Sequence, residues 1–465
     1  MSVEPSRHRN LLLVTYQFPP IGGSGVQRAV KLARYLPRAG WRAHVLSAGH
    51  THYPLLDPML TRDVEKETTV HRACGLEPAA LATTLCRQLG RNGHAPDWLT
   101  GLEDRVYWRL ESVCDRLKLP EAEMLWVPAA VRQARRLVDR FGIEAVVTTS
   151  PPHSTHLIGQ ALKRRLGLPW IADLRDPILD NFAYQPKTRL ADWFWRWLER
   201  TVLHGASHVT VTCPELADRL LERYPDIGAG RFSTITNGFD PADCSVLPPD
   251  ARMPTAEKRR FTISYVGAFY RQQTIGPILE AIRSLRAARS DIAADLEFRL
   301  NGSLSASQRR LLREEDTAFF NDVGYCSHEE AVAEMARADV LLLTTPANDG
   351  GRLCIPAKTF EYLAFGGHLI ALAHEGTAMA RILADAGNVS LLYRRDPEAM
   401  ARVIERCYDA WHTGSLDEPR NQDVVQRFRR DRLAARLAAV VEHCTDGSSR
   451  LRVAREDATA EEEAA

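Results

Sequence analysis

The chain has 465 residues, more than one hydrophobic core normally supports, so its length predicts two domains. Its apolar fraction of 45% and charged fraction of 26% are ordinary for a soluble globular protein, and a net charge of +1 argues against a nucleic-acid partner. Nine cysteines without a C-x-x-C pair argue against a zinc site or a disulfide framework. Cysteines of this kind, in a chain without a long apolar run, are typical of a cytoplasmic protein.

The first part of the chain alternates short apolar runs with helical patterns. Strands are predicted at 11–16, 42–48, 144–150, 169–174 and 208–213, and helices from about residue 26 and at 79–90, 103–117, 128–141, 154–167 and 188–204. Buried strands separated by helices are typical of a parallel, doubly wound sheet. We therefore expect a Rossmann-like domain over residues 1–236.

A segment rich in proline, aspartate and charge at 234–260 interrupts the alternation and predicts a linker over 237–260. The pattern then restarts, with strands at 261–267, 296–302, 339–345 and 368–373 and helices at 275–289, 305–315, 327–337, 356–365, 376–386, 396–412 and 421–443. These elements predict a second Rossmann-like domain over 261–420. A closing helix at 421–445 and a disordered acidic tail at 446–465 follow it.

The segment "FPPIGGSG" (18–25) joins the first predicted strand to a helix. Gly22, Gly23 and Gly25 could let a phosphate or a sugar approach the backbone at the helix N-terminus, or could simply form a tight turn. A nicotinamide fingerprint is disfavoured, because Arg28 occupies the position of its third small residue. The second strand also offers no acidic residue for a ribose before Asp57.

The helix that follows these glycines is predicted to be amphipathic. One face carries Val26, Ala29, Val30, Ala33 and Leu36, and the polar face carries Gln27, Arg28, Lys31, Arg34 and Arg38.

The segment "IPAKTFEYLAFG" (355–366) has the residues expected of a nucleotide site. Pro356 is typical of a first helical turn, and Lys358 adds its charge to the positive end of the helix. Glu361 lies one turn further on the same side. A cation for a diphosphate and a carboxylate for ribose hydroxyls would match a nucleoside diphosphate. The alternative is a solvated Lys–Glu pair of little consequence.

Five segments of the chain resemble the GT-B glycosyltransferases, and more closely those of family 4 in bacterial polysaccharide and natural-product pathways. They are the glycine-rich segment 18–25, the segment 355–366, "SPPHSTHLIGQALKRRLGLPWIADLRDP" (150–177), "ITNGFD" (235–240) and "YVGAFY" (265–270). The resemblance implies an α/β fold in which two Rossmann-like domains face a central cleft. It also implies transfer of a sugar from a nucleotide-sugar donor, usually with retention, to a glycan, lipid-linked or small-molecule acceptor. We expect no metal and no other cofactor, since no D-x-D motif is present.

The resemblance also assigns residues to the donor. Glu361 matches the second glutamate of the E-x7-E motif, which binds the donor ribose, whereas the first glutamate falls at Leu353 and its role is vacant. Arg271 is the candidate for the diphosphate, with Lys358 as its helper. The loop with Gly22 and Gly23 corresponds to the one beside the donor phosphates and the acceptor.

Four residues of the first domain are candidates for the catalytic side of the cleft. Asp173, Arg175 and Asp176 cluster at the carboxyl end of the predicted strand 169–174, where open α/β sheets bind ligands. Arg175 stands where many relatives have a histidine. This trio could equally be a structural salt-bridge network. His153 follows another strand end and could contact substrate or lie on the surface.

Two further questions stay open at this point. A sugar-nucleotide epimerase on the same fold, or an inactive nucleotide-sugar-binding scaffold, would share most of these features. The segment "RLADWFWRWLERTVLHGA" (189–206) fits both a helix on the inner face of a membrane and an ordinary helix packed through Phe194, Leu198 and Val202 or through Trp193, Trp197 and Val202.

Overall fold

The computed structural model describes residues 9–49, 68–78, 80–82, 120–181, 188–246, 260–269 and 273–446, and a few runs of one to three residues between 57 and 114. Most of the predicted helices at 79–90 and 103–117, the tail beyond residue 446 and the candidate Arg271 lie outside the described residues.

A seven-stranded parallel sheet forms the first half of the chain, in the order β3-β2-β1-β4-β5-β6-β7. Its strands are β1 (Arg9–Thr15), β2 (Trp41–Ala48), β3 (Thr69–Ala73), β4 (Ile143–Thr149), β5 (Trp170–Leu174), β6 (His208–Val211) and β7 (Phe232–Thr234). Its helices are α1 (Ser24–Tyr35), α2 (Val127–Phe141), α3 (His156–Leu166), α4 (Arg189–Gly205) and α5 (Pro214–Arg223). The five predicted strands are confirmed, whereas β3, β7 and α5 were not predicted.

Helices cover both faces of this sheet, which explains why its central strands are continuous apolar runs. Residues Leu11 to Val14 of β1 are completely buried. Helices α2, α3 and α4 share one core cluster with β4, β5 and β6 on one face. Helix α1 packs on the other face, in a separate cluster.

A six-stranded parallel sheet in the order β10-β9-β8-β11-β12-β13 forms the second half. Its strands are β8 (Phe261–Val266), β9 (Leu296–Asn301), β10 (Phe320–Asp322), β11 (Val340–Thr344), β12 (His368–Leu372) and β13 (Val389–Leu392). Its helices are α6 (Gly276–Ala288), α7 (Ser290–Asp295), α8 (Ala306–Arg309), α9 (His328–Arg337), α10 (Lys358–Phe365), α11 (Ala378–Ala386) and α12 (Pro397–His412).

The predicted helix at 305–315 is wrong, because α8 ends at Arg309 and a separate 3-10 helix spans Glu314–Ala318. The Asp316 carboxylate accepts a hydrogen bond from the Arg313 backbone N–H at 2.8 Å and another from the Arg283 side chain. These bonds begin a new turn at Arg313, so residues 314–318 form a separate short helix.

The closing segment returns to the first domain through two helices, α13 (Gln422–Gln426) and α14 (Arg430–Asp446). The predicted single helix at 421–443 is therefore wrong. The Phe239 N–H donates to the Phe428 carbonyl at 3.1 Å, and the Arg430 N–H donates to the Phe239 carbonyl at 2.9 Å. These bridging bonds to the linker interrupt the helix. Helix α14 then packs beside α1, as expected of a closing helix.

Candidate active site

The turns after β8 and β9 pack together at the carboxyl edge of the second sheet. Gly267 has a φ of 117°, and its N–H donates to the Asn301 carbonyl at 2.8 Å. A Cβ added at Gly302 would collide with the Gly267 carbonyl oxygen, so the turns after β8 and β9 can pack this closely only with glycine. The two turns therefore form a closely packed backbone surface at this edge of the sheet.

Helix α10 is fixed with its N-terminus facing that turn. The Tyr362 hydroxyl accepts a hydrogen bond from the Val266 N–H at 2.9 Å, which ties the helix to the last residue of β8. Lys358 Nζ lies 2.9 Å from the place that a Cβ on Gly267 would occupy. It also lies 3.7 Å from the centroid of the Tyr265 ring. The sequence indicated Lys358 but not the two tyrosines that position it.

Burial lowers the pKa of Lys358 to about 7, and the charge of Glu361 only partly opposes this effect. Among the described residues, no carboxylate forms an ion pair with Lys358. A desolvated ammonium without a counter-ion, at the N-terminus of a helix, is suited to bind an anion.

Glu361 lies one turn along α10, on the side that faces the linker. Burial raises the pKa of its carboxyl group, and the nearby charges of His328 and Arg430 oppose the rise. Within the part of the chain that the structure describes, no donor forms a hydrogen bond to this carboxylate. Its oxygens therefore remain available to accept hydrogen bonds from ligand hydroxyls.

The cations around Glu361 belong to a charged group between the two domains. His328 Nε2 pairs with Asp243 Oδ2 of the linker at 3.0 Å. Lys31 of α1 pairs with Asp240 at 2.6 Å and lies 3.7 Å from Asp243. Part of the polar face predicted for α1 is thus buried, since Lys31 is only 2% exposed, whereas Arg34 is half-buried and Arg38 is exposed. His328 was not predicted, because its partner lies 85 residues away in the chain.

Asp173 is completely buried in the first domain, and its two oxygens are saturated by hydrogen bonds. Arg28 donates to both oxygens, at 2.7 and 2.9 Å, while the hydroxyls of Thr149 and Thr210 each donate at 2.7 Å. Burial raises the pKa of Asp173, but these partners outweigh it and hold the pKa below its ordinary value. This geometry is that of a structural ion pair rather than of an open catalytic group.

Arg175 and Asp176 follow Asp173 but face the cleft. Arg175 Nη1 donates to the Gly25 carbonyl at 2.5 Å, so the end of β5 touches the glycine-rich segment. Burial raises the pKa of Asp176, with Arg175 opposing the rise. Burial and the charge of Asp176 in turn raise the pKa of Cys354, which belongs to the second domain. Asp176 therefore lies toward the opposite wall of the cleft.

His153 lies in a short 3-10 helix after β4 and is only 7% exposed, so it is not a surface histidine. Its backbone N–H donates to Glu121 Oε1 at 2.9 Å, and its ring packs edge-on against Trp195 at 5.9 Å between centroids. Burial lowers its pKa to about 4, which keeps the imidazole neutral at pH 7. The supporting Glu121 was not recognised in the sequence.

The glycine-rich segment lies against the end of β5 through the bond between Arg175 and Gly25. Gly22 is buried, and Gly23, with a φ of 98°, immediately precedes α1. A cavity between the domains is lined by Asp180, Asn181, Arg219, Asn348, Asp349, Gly350 and Leu353. The position of the missing glutamate, Leu353, thus contributes an apolar side chain to the cleft.

Comparison with known families identifies the chain. Residues 22–238 match the family model of the glycosyl transferase 4-like domain, and residues 260–410 match that of glycosyl transferases group 1. The chain is a family-4-like GT-B glycosyltransferase. The two matches flank the predicted linker, the first covering all strands of the first sheet except β1 and the second covering the whole second sheet.

Solved structures share the fold of this glycosyltransferase along nearly its whole length. Sucrose-phosphate synthase from Thermosynechococcus elongatus is 18% identical, with 95% of this chain and 100% of that chain covered and a TM-score of 0.58. HepE of Anabaena, in complex with UDP and glucose, is 14% identical, with coverages of 94% and 100% and a TM-score of 0.59. A putative UDP-N-acetylglucosamine 2-epimerase from Listeria monocytogenes is 10% identical, with coverages of 95% and 98% and a TM-score of 0.52.

At these identities the likeness shows the fold alone, so the two family models decide the class of enzyme. No curated protein sequence matches this glycosyltransferase significantly. None of its described helices is both long and apolar enough to cross a membrane.

Proposed function

We propose that this glycosyltransferase takes its sugar from a nucleoside diphosphate donor, with UDP as the first nucleotide to test. The observation that carries the proposal is the buried Lys358 ammonium, which has no carboxylate partner among the described residues and lies against the Gly267 turn. A bound anion would supply the negative charge that this buried cation needs. The UDP and glucose bound in the HepE structure support the choice of UDP.

In this proposal the second domain binds the nucleotide. Lys358 holds the diphosphate together with Arg271, and Glu361 accepts hydrogen bonds from the ribose hydroxyls. As the bond between the sugar and the diphosphate breaks, negative charge grows on the departing phosphate. The two cations stabilise that charge, so we propose a reaction that needs no metal ion.

The first domain forms the acceptor side of the cleft. Gly22 and Gly23 face the donor phosphates, and Arg175, Asp176 and the neutral His153 orient the sugar and the acceptor. Asp173 holds Arg28 and the end of β5 in place and makes no contact with substrate. We propose transfer with retention, in which the leaving phosphate takes the acceptor proton, so catalysis depends on positioning and charge stabilisation. The acceptor is a glycan, a lipid-linked sugar or a small molecule.

The test is calorimetric titration of the purified chain with UDP, GDP and ADP, each in buffer with EDTA. We expect one nucleoside diphosphate to bind more tightly than the others. The corresponding nucleotide sugars are then incubated with the protein, and the products are read by NMR. Release of nucleoside diphosphate and transfer of the sugar support the proposal. An epimerised nucleotide sugar would contradict it, as would the lack of binding by any nucleotide.

A further inference from the structure

Helix α4 presents an apolar patch to solvent, made of Leu190, Trp193 and Trp197. Their exposed fractions are 61%, 60% and 40%, and the two indole rings stack at 6.5 Å between centroids with an angle of 15°. The helix packs on the sheet through Phe194 and its neighbours on the opposite face. The patch is therefore additional to the packing that holds the helix in place.

The surface around this patch is strongly basic. Helices α2, α3 and α4 cover one face of the first sheet, with α3 in contact with both of the others. Ten cationic side chains on these helices are exposed or half-buried. They are four arginines of α2, a lysine and two arginines in the last turn of α3, and Arg189, Arg196 and Arg200 of α4. The only acidic side chains toward solvent on these three helices are Asp139 and Asp192. Since the whole chain has a net charge of +1, this layer is far more basic than the rest of the protein.

We propose that the layer of α2, α3 and α4 docks on an anionic membrane surface. Tryptophan side chains favour the boundary between headgroups and acyl chains, which suits Trp193 and Trp197. The arginines would contact lipid phosphates, whose negative surface potential attracts clustered cations. Apolar insertion and charge attraction together provide the two signals that stable peripheral binding requires.

The apolar patch favours a bilayer over a nucleic acid as the partner. Proteins that bind single strands stack bases on exposed aromatic faces. Here the near-parallel rings of Trp193 and Trp197 lie side by side, 6.5 Å apart between centroids, and Leu190 offers no ring. The patch is instead a compact apolar surface with cations on the same helix face, which is the pattern of an interfacial helix.

Docking through this layer would also place the opening of the cleft close to the membrane surface. Helix α4 follows the carboxyl end of β5, and Trp195 in its second turn touches His153 at the carboxyl end of β4. The patch thus lies near the edge of the sheet where the cleft opens. A lipid-linked acceptor could then reach the cleft from the bilayer. This consequence, unlike the docking itself, rests on the proposed function.

The experiment is flotation of the full chain with vesicles of phosphatidylcholine alone and of phosphatidylcholine with phosphatidylglycerol, at low and high salt and without substrate. We expect binding to the anionic vesicles that weakens with salt. The variant W193S/W197S should bind at least roughly tenfold more weakly, and R189Q/R200Q should lose affinity by a factor on the order of ten. Matched controls are L311S and R310Q/R402Q, which change exposed residues of the second domain and should bind like the wild type.

Melting temperatures of the variants show that each remains folded, and UDP titration of W193S/W197S tests the donor site separately. Equal binding of wild type and W193S/W197S would overturn the proposal, and so would equal binding to neutral and anionic vesicles. Binding to a DNA duplex without binding to anionic vesicles would assign the layer to another polyanion and overturn it as well.

Discussion

The Lys358 ammonium lies 3.7 Å from the centroid of the Tyr265 ring, and the same ring stacks with Phe269 at 3.9 Å between centroids. An aromatic face attracts a cation but carries no net charge, so it holds the lysine in place without neutralising it. The side chain is thereby positioned for an anion before any ligand arrives. This preorganisation reduces the entropy that binding would otherwise cost.

Replacing Lys358 by glutamine should therefore weaken UDP binding without unfolding the protein. Removing one partner of a desolvated charge pair typically lowers affinity by roughly 30-fold or more. Calorimetric titration measures the loss, and Lys163→Gln, a half-buried lysine of α3 outside the cleft, is the matched control. If Lys358→Gln binds UDP as the wild type does, the lysine has only a structural role.

Glu361→Gln should weaken the contacts to the ribose while leaving the contacts to the phosphates unchanged. The variant keeps the shape of the side chain but loses the charge that strengthens hydrogen bonds from hydroxyl groups. We expect weaker binding of UDP, by roughly tenfold, with unchanged binding of inorganic pyrophosphate. Lys358→Gln should weaken the binding of both ligands, so the two variants differ in their binding of pyrophosphate. Loss of pyrophosphate binding in Glu361→Gln would contradict the assigned role.

The affinity for UDP should fall as the pH rises above about 7. Burial lowers the pKa of Lys358 to about 7 in the free protein, and a bound diphosphate would raise it because it favours the protonated form. Binding above pH 7 therefore requires uptake of a proton, and the affinity declines with pH until the pKa of the complex is reached. Calorimetric titration in buffers of different ionisation enthalpy measures the number of protons taken up on binding. In Lys358→Gln the proton uptake should disappear, and its persistence would assign the titration to another group.

Asp173→Asn should act on stability rather than on chemistry. The substitution leaves Arg28 buried without its ion-pair partner, a change that typically costs about 3–5 kcal/mol of unfolding free energy. Urea unfolding measures this cost. Asp176→Asn is the control at the neighbouring cleft position, where we expect little change in stability and a lower rate of sugar transfer. A stable Asp173→Asn variant with no transferase activity would instead support a catalytic role for Asp173.

The sequence predicted those features that depend on local spacing. Helical periodicity places Lys358 and Glu361 on one side of a short helix, and apolar runs locate the central strands. Features that depend on distant partners could not be predicted in this way. The pattern of α1 places Arg28 and Lys31 on the polar face of the helix. It does not show that the fold brings Asp173 and Asp240 beside them and buries both ion pairs. The break between α13 and α14 likewise depends on Phe239, about 190 residues earlier in the chain.

The pair of His328 and Asp243 should make the stability of the domain junction depend on pH. Burial lowers the pKa of His328, but the hydrogen bond to Asp243 and the charge of Glu361 outweigh it and raise the pKa above its ordinary value of 6.5. A histidine with a raised pKa in the folded state stabilises the protein fully below pH 6.5. This contribution is lost as the pH rises through the folded-state pKa. We therefore expect His328→Asn to be less stable than the wild type below pH 6.5, with a difference that narrows as the pH rises. Urea unfolding of both proteins across this range measures the difference, and a constant gap would show that the histidine does not titrate in this pair.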